Sequence, residues 1–109
     1  MNVLLDECLP KKLKREVNGD VVKTVPEMGW AGKKHGALLR LAEQEFDVLL
    51  TNDQNLEYQQ KLKSYNLAVI VLAARTNDIE DLRPLMPAAN EALRTILASE
   101  IVRIETSSG

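Results

Sequence analysis

Short apolar runs return at intervals along this chain: NVLL near the N-terminus, DVVKTV from Asp20 to Val25, DVLLT ending at Thr51, LAVIVLA ending at Ala73, and IVRIE from Ile101. Each has the length and the aliphatic or β-branched content of a strand, and an amphipathic or turn-rich stretch separates it from the next. DVLLT and LAVIVLA lack alternation, as strands buried on both faces of a parallel sheet do. Strand–helix alternation of this kind predicts an α/β fold. The expectation is a three-layer α/β/α domain, with helices on both sides of a mainly parallel central sheet of four to five strands.

The stretches between the runs fill in the helices. Pro10 can open a helix to Val17, with Leu13 and Val17 four apart on one face and Asn18-Gly19 as its stop. PEMGWAGKKHG, from Pro26 to Gly36, carries three glycines and a proline and is predicted to be a loop. Leu38, Leu39, Leu41 and Ala42 give the apolar face of a second helix over Gly36–Glu45. A third is predicted over Leu56–Ser64. Asp78 can cap a helical region broken by Pro84 and Pro87, whose last part, Ala88–Leu97, has strong helical character.

A length of 109 residues suits one domain, here 1–105, with 106–109 as a disordered tail. Hydrophobic residues at 45% and charged residues at 28% match a globular chain, and with aromatics at 4% its core must be aliphatic. No run approaches the roughly 20 apolar residues that cross a bilayer, and the N-terminus lacks a signal-peptide pattern. The expectation is a cytoplasmic protein with no membrane partner. One cysteine, Cys8, rules out an intramolecular disulfide and a multi-cysteine metal knuckle, and is read as a buried, inert thiol. A formal charge of −2 offers no global attraction to nucleic acid, so any such binding needs local positive patches.

Function in such sheets gathers at the C-terminal ends of the strands, where the strand order reverses. Asp6-Glu7 leaves the first strand and Asp53 follows the third. In an order such as 2-1-3-4 these strands are neighbours, roughly 5 Å apart. Converging carboxylates repel and lose hydration, a conflict that a divalent cation removes. Mg²⁺ and Mn²⁺ prefer hard oxygen ligands, and a few carboxylates plus water commonly hold them against phosphate. The plainer alternative is that each acid caps the helix after its strand.

Three segments carry a family resemblance: VLLDECLP, EMGWAGKKHGALLRLAEQEFDVLLTNDQNLEYQQ and VIVLAARTNDIEDLRPL. They resemble the small single-domain PIN-like (Rossmann-like) proteins grouped as a domain of unknown function (DUF5615), relatives of PIN-domain toxin nucleases. The resemblance covers nearly the whole chain and is most specific at LLDE and LLTNDQNL. It implies a PIN-like domain over 1–105 and a metal-dependent ribonuclease site using Mg²⁺ or Mn²⁺. Asp6 matches the acid after the first strand, and Asp53 the acid of the strand whose family pattern reads LVTxD. At the start of the helix before that strand the toxins carry another acid, where this chain has His35. Imidazole suits Mn²⁺ or Zn²⁺ better than Mg²⁺. A further acid has no direct match, and Glu7 and Glu27 are the nearest in the expected topology.

Around this core of Asp6, Asp53, Glu7, Glu27 and His35, two cationic groups are expected to rim the crevice and hold a phosphate backbone: Lys11, Lys12, Lys14 and Arg15 after the first strand, and Lys33 and Lys34 before the second helix. For any one of them an ordinary solvated helix face is the slightly stronger reading. Arg75, with Thr76 and Asn77, follows the fourth strand and is also expected to face the crevice, Arg75 as a nucleic-acid contact. Trp30 sits between glycines in the long loop, where it could stack on a base, cover core or make a subunit contact. The leading expectation is an RNA-hydrolysing enzyme, the toxin of a toxin–antitoxin pair, with RNA, an antitoxin protein and a second copy in a homodimer as candidate partners. A catalytically degenerate PIN-like module that binds RNA or protein is the main alternative. A phosphoryl-receiver domain would need a lysine after the fifth strand and Ser or Thr ending the fourth, where this chain has TSSG and Ala73-Ala74.

Overall fold

The computed structural model describes residues 1–59 and 61–106, so most of the expected tail, 107–109, lies outside the described residues. Five strands form one all-parallel sheet in the order β2-β1-β3-β4-β5. They are β1 (Asn2–Leu5), β2 (Val21–Thr24), β3 (Val48–Thr51), β4 (Ala68–Ala73) and β5 (Ile101–Glu105). β3 is buried along its length and β4 nearly so, as their unbroken apolar sequence requires of central strands, whereas edge strand β2 is half exposed.

Alternation along the strands divides the core in two. Val3, Leu5, Val48, Leu50, Ile70 and Leu72 face one side, under Leu13, Val17 and the residues of α3 (Ile79–Leu82) and α4 (Met86–Leu93). Leu4, Leu49, Val69 and Val71 face the other, under α1 (His35–Glu45), α2 (Leu56–Gln59), Val25 and Trp30. Helices therefore cover both faces, giving the three-layer α/β/α arrangement expected from the alternation.

Three helices depart from expectation. Pro10–Val17 is not an α-helix: Lys11–Glu16 winds as a 3₁₀ helix and Val17 is extended. The tighter turn still buries Leu13 and Val17 on the sheet. The helix expected over Leu56–Ser64 is broken by Lys61, whose φ of −83° and ψ of 77° are non-helical, leaving α2 and a short 3₁₀ turn at Leu62–Ser64. The last helix begins at Met86, because Pro87 is tolerated in a first turn, and stops at Leu93 rather than Leu97.

The loop before α1 contains a 3₁₀ turn at Pro26–Met28 and reverses at Gly29 and Gly32, with φ of 76° and 80°. That left-handed backbone is easy only for glycine. It returns the chain over the C-terminal ends of β1 and β3, so α1 starts there with His35.

Candidate active site

Asp6 directly follows β1 and continues its ladder, its N–H donating to Leu50 O at 2.9 Å. By alternation it shares the face of Leu4, the face that α1 covers. The result is a carboxylate only 3% exposed. Its partners are few: Oδ1 accepts the Glu7 N–H at 2.9 Å, and Oδ2 accepts the Thr51 hydroxyl at 2.7 Å. Thr51, the fully buried last residue of β3, also accepts the Asp53 N–H at 3.0 Å through the same oxygen. Asp53 Oδ1 in turn accepts the Asn55 N–H at 3.0 Å, an Asx turn that opens α2. Asp53 thus has both roles the sequence allowed, a helix-start residue and a pocket acid.

His35 stands between the two acids. Its Nε2 lies 3.3 Å from Asp6 Oδ2 and its Nδ1 3.6 Å from Asp53 Oδ2. A neutral imidazole has one N–H, so it can donate to one of the two carboxylates and presents a lone pair to the other; an imidazolium has a donor for each. Asp6 and Asp53 are thereby brought to one group on one edge of the sheet, at the boundary of β1 and β3.

These side chains line a cavity of about 410 Å³. Glu7 is exposed at its mouth, with both carboxylate oxygens accepting the Gly32 N–H at 3.1 and 3.2 Å. Lys33 and Lys34 form a cationic rim, as expected. Two lining residues, Cys8 and Asn52, were not singled out from sequence as site members, whereas Asn77 was expected to face the crevice and does. Cys8 is half-buried, its Sγ 3.7 Å from Thr51 Oγ1, and burial pushes its thiol pKa up, which keeps it an unreactive thiol at neutral pH. Asn52 donates through Nδ2 to Thr76 O at 3.2 Å and to Asn77 Oδ1, and its buried Oδ1 is without a hydrogen-bond partner. Asn77 completes the wall from the loop after β4. The signal for Thr51 was available: a polar residue ending an apolar strand, two before an acid.

Other expected site residues fall elsewhere. Glu27 does not line the cavity. Its carboxylate is bound by Lys14 Nζ at 2.8 and 2.9 Å and by the Thr24 N–H at 3.0 Å, while its own N–H donates to Thr24 Oγ1. Lys14 and then the Thr24 N–H lower its pKa from 4.5 to about 2. Trp30 is a core residue rather than a stacking platform, 9% exposed and edge-on to Phe46 with ring centroids 6.1 Å apart. Lys11 and Lys12 are exposed but line a separate concavity of about 520 Å³ with Lys14 and Arg15. Arg75 is exposed in the loop after β4, outside the cavity wall.

Among the described residues, no group of three or more His, Cys, Asp and Glu side chains is arranged to hold a metal ion. The kind of donor nonetheless suits a hard cation. Asp6 and Asp53 each keep carboxylate lone pairs beyond those used above, and two carboxylates completed by water are a common Mg²⁺ environment. The His35 ring approaches an oxygen of each, so a cation held by those two oxygens would compete with that ring for them. Among the described residues no helix is long and apolar enough to cross a membrane. Compared with known proteins, the chain matches no family model, no curated protein and no solved structure.

Proposed function

We propose that this chain is a PIN-like ribonuclease whose centre is the Asp6–Asp53 pair, working with Mg²⁺ or Mn²⁺. The observation that carries the reading is the approach of both carboxylates to the single His35 ring inside a cation-rimmed cavity. The resemblance of LLDE and LLTNDQNL to PIN-like segments supports it. Asp6 and Asp53 would hold the metal, which when bound neutralises phosphate charge and lowers the pKa of its water. Thr51 fixes both acids. Lys33 and Lys34 would hold the RNA backbone on either side of the reacting linkage. Glu7, which lines the same cavity, would supply a further carboxylate for hydrogen bonds to water there. A toxin role, with an antitoxin protein as partner, follows from the same resemblance.

One observation favours a second reading, a degenerate module that binds RNA without cutting it: the His35 imidazole already approaches the Asp6 and Asp53 oxygens that a shared metal would use. An end-labelled RNA pool incubated with the protein in Mg²⁺, Mn²⁺ or chelator separates the two. Metal-dependent cleavage that vanishes in Asp53→Asn supports the nuclease. Retained RNA binding without cleavage in either metal supports the module.

A further inference from the structure

The sheet edge opposite the candidate site combines exposed apolar side chains, a small cavity and acidic residues. Among the described residues, four large hydrophobic side chains are markedly exposed, and three of them lie at the N-terminal ends of the strands: Met1, Val21 and Leu97, the last 68% exposed. Met1 and Leu97 flank a cavity of about 150 Å³ whose apolar walls also include Phe46 and Ile96. That volume suits one long side chain rather than a small-molecule ligand, and Met1 and Leu97 place apolar surface beside it.

The rim of the socket selects the sign of its occupant. Glu43 and Asp47 line it, and Asp20 and Glu100 lie at the same edge. α1 ends here with no basic residue in its last turn; that turn carries Glu43 and Glu45 instead. A helix C-terminus is the negative end of its dipole and is normally complemented by Lys, Arg or His. Here acids reinforce it. Asp20 is paired with the Met1 ammonium, which also lies in the field of Asp47; Glu43 accepts the Asn66 N–H, Asp47 the Asn2 N–H and Glu100 the Leu97 N–H, neutral donors that leave the edge with more acid than base.

We infer that this edge docks a basic segment of a partner protein, one arginine or lysine entering the socket with its aliphatic stem against Phe46, Ile96 and Leu97 and its cationic head at Glu43 and Asp47. Long cationic side chains bury their stems and keep their heads polar in this manner. The surface is remote from Asp6 and Asp53, so the inference stands whether or not the chain cuts RNA, and its test contains no RNA.

The test uses the full chain, isotope-labelled for amide NMR, with two peptides, one alternating arginine and leucine and one alternating arginine and glycine. The Arg-Leu peptide is expected to shift the amides of Phe46, Asp47, Ala68 and Ile96–Ala98, and to bind at least tenfold more tightly than the Arg-Gly peptide. Leu97→Asp should weaken it tenfold or more, and so should Glu43→Gln combined with Asp47→Asn, which keeps the local hydrogen bonds. Leu97 is exposed, so the fold tolerates that change, and an unchanged spectrum elsewhere verifies it. Shifts centred on Asp6 and Asp53, equal binding of both peptides, or no binding at millimolar peptide would overturn the inference. Concentration-dependent dimerisation abolished by Leu97→Asp would also overturn it, by assigning the surface to a second copy.

Discussion

Thr51 donates its hydroxyl hydrogen to Asp6 over 2.7 Å in a fully buried position, and through the same oxygen accepts the backbone N–H of Asp53. One hydroxyl therefore sets the spacing of the two acids. Replacing it by an isosteric methyl leaves a buried carboxylate short of a donor, which costs about 1–3 kcal/mol. Thr51→Val should lower stability by that amount in a denaturant titration, while Thr51→Ser keeps most of it. Equal stability of the two variants would show that the bond contributes nothing.

Asp6→Asn should act in the opposite sense. A carboxylate that is 3% exposed with Asp53 nearby is held against desolvation and like charge, and functional residues of this kind commonly cost stability. The neutral amide should leave stability unchanged or raise it by about 0.5–2 kcal/mol, in the range seen when such sites are relieved. Metal binding should fall at the same time. A large loss of stability would mean that Asp6 is a structural acid.

Trp30 is expected to matter to the fold and not to RNA. Trp30→Ala should cost about 3–5 kcal/mol, the usual range for truncating a large buried aromatic. Trp30→Phe preserves much of the packing on Phe46 and should leave RNA affinity unchanged; weaker binding by this variant would return Trp30 to the nucleic-acid surface.

Lys14 and Glu27 predict a pH dependence. The folded Glu27 titrates at about 2 against an ordinary 4.5, first because Lys14 bonds it and next because the Thr24 N–H does. A depressed carboxylate contributes stability that is complete above its unfolded value and lost as pH falls through its folded one. The wild type should therefore exceed Lys14→Met in stability at pH 7, and the gap should narrow between pH 4.5 and 2. A constant gap across that window would exclude the pair as its source.

These placements show which signals the sequence carries. The strands were legible because DVLLT and LAVIVLA are too apolar for anything but the centre of a sheet, and Asp6 and Asp53 because they end neighbouring strands. Short helices were harder. Lys61 breaks one through its backbone angles, and Leu13 and Val17 reach the core as well from a 3₁₀ helix as from an α-helix. Pairings between distant segments were hidden: nothing in composition says that Glu27 spends its charge on Lys14, or that Trp30 turns inward to Phe46. Cys8 and Asn52 enter the site only once β1 and β3 are side by side.

The proposed cation site shared by Asp6 and Asp53 is tested most directly by titrating Mn²⁺ into the isotope-labelled protein. Paramagnetic broadening should appear first, below one equivalent, at the amides of Asp6, Asp53 and His35, and should disappear in Asp6→Asn and in Asp53→Asn. Broadening centred on Glu43 and Asp47, or a pattern at Asp6 that survives Asp53→Asn, would contradict it.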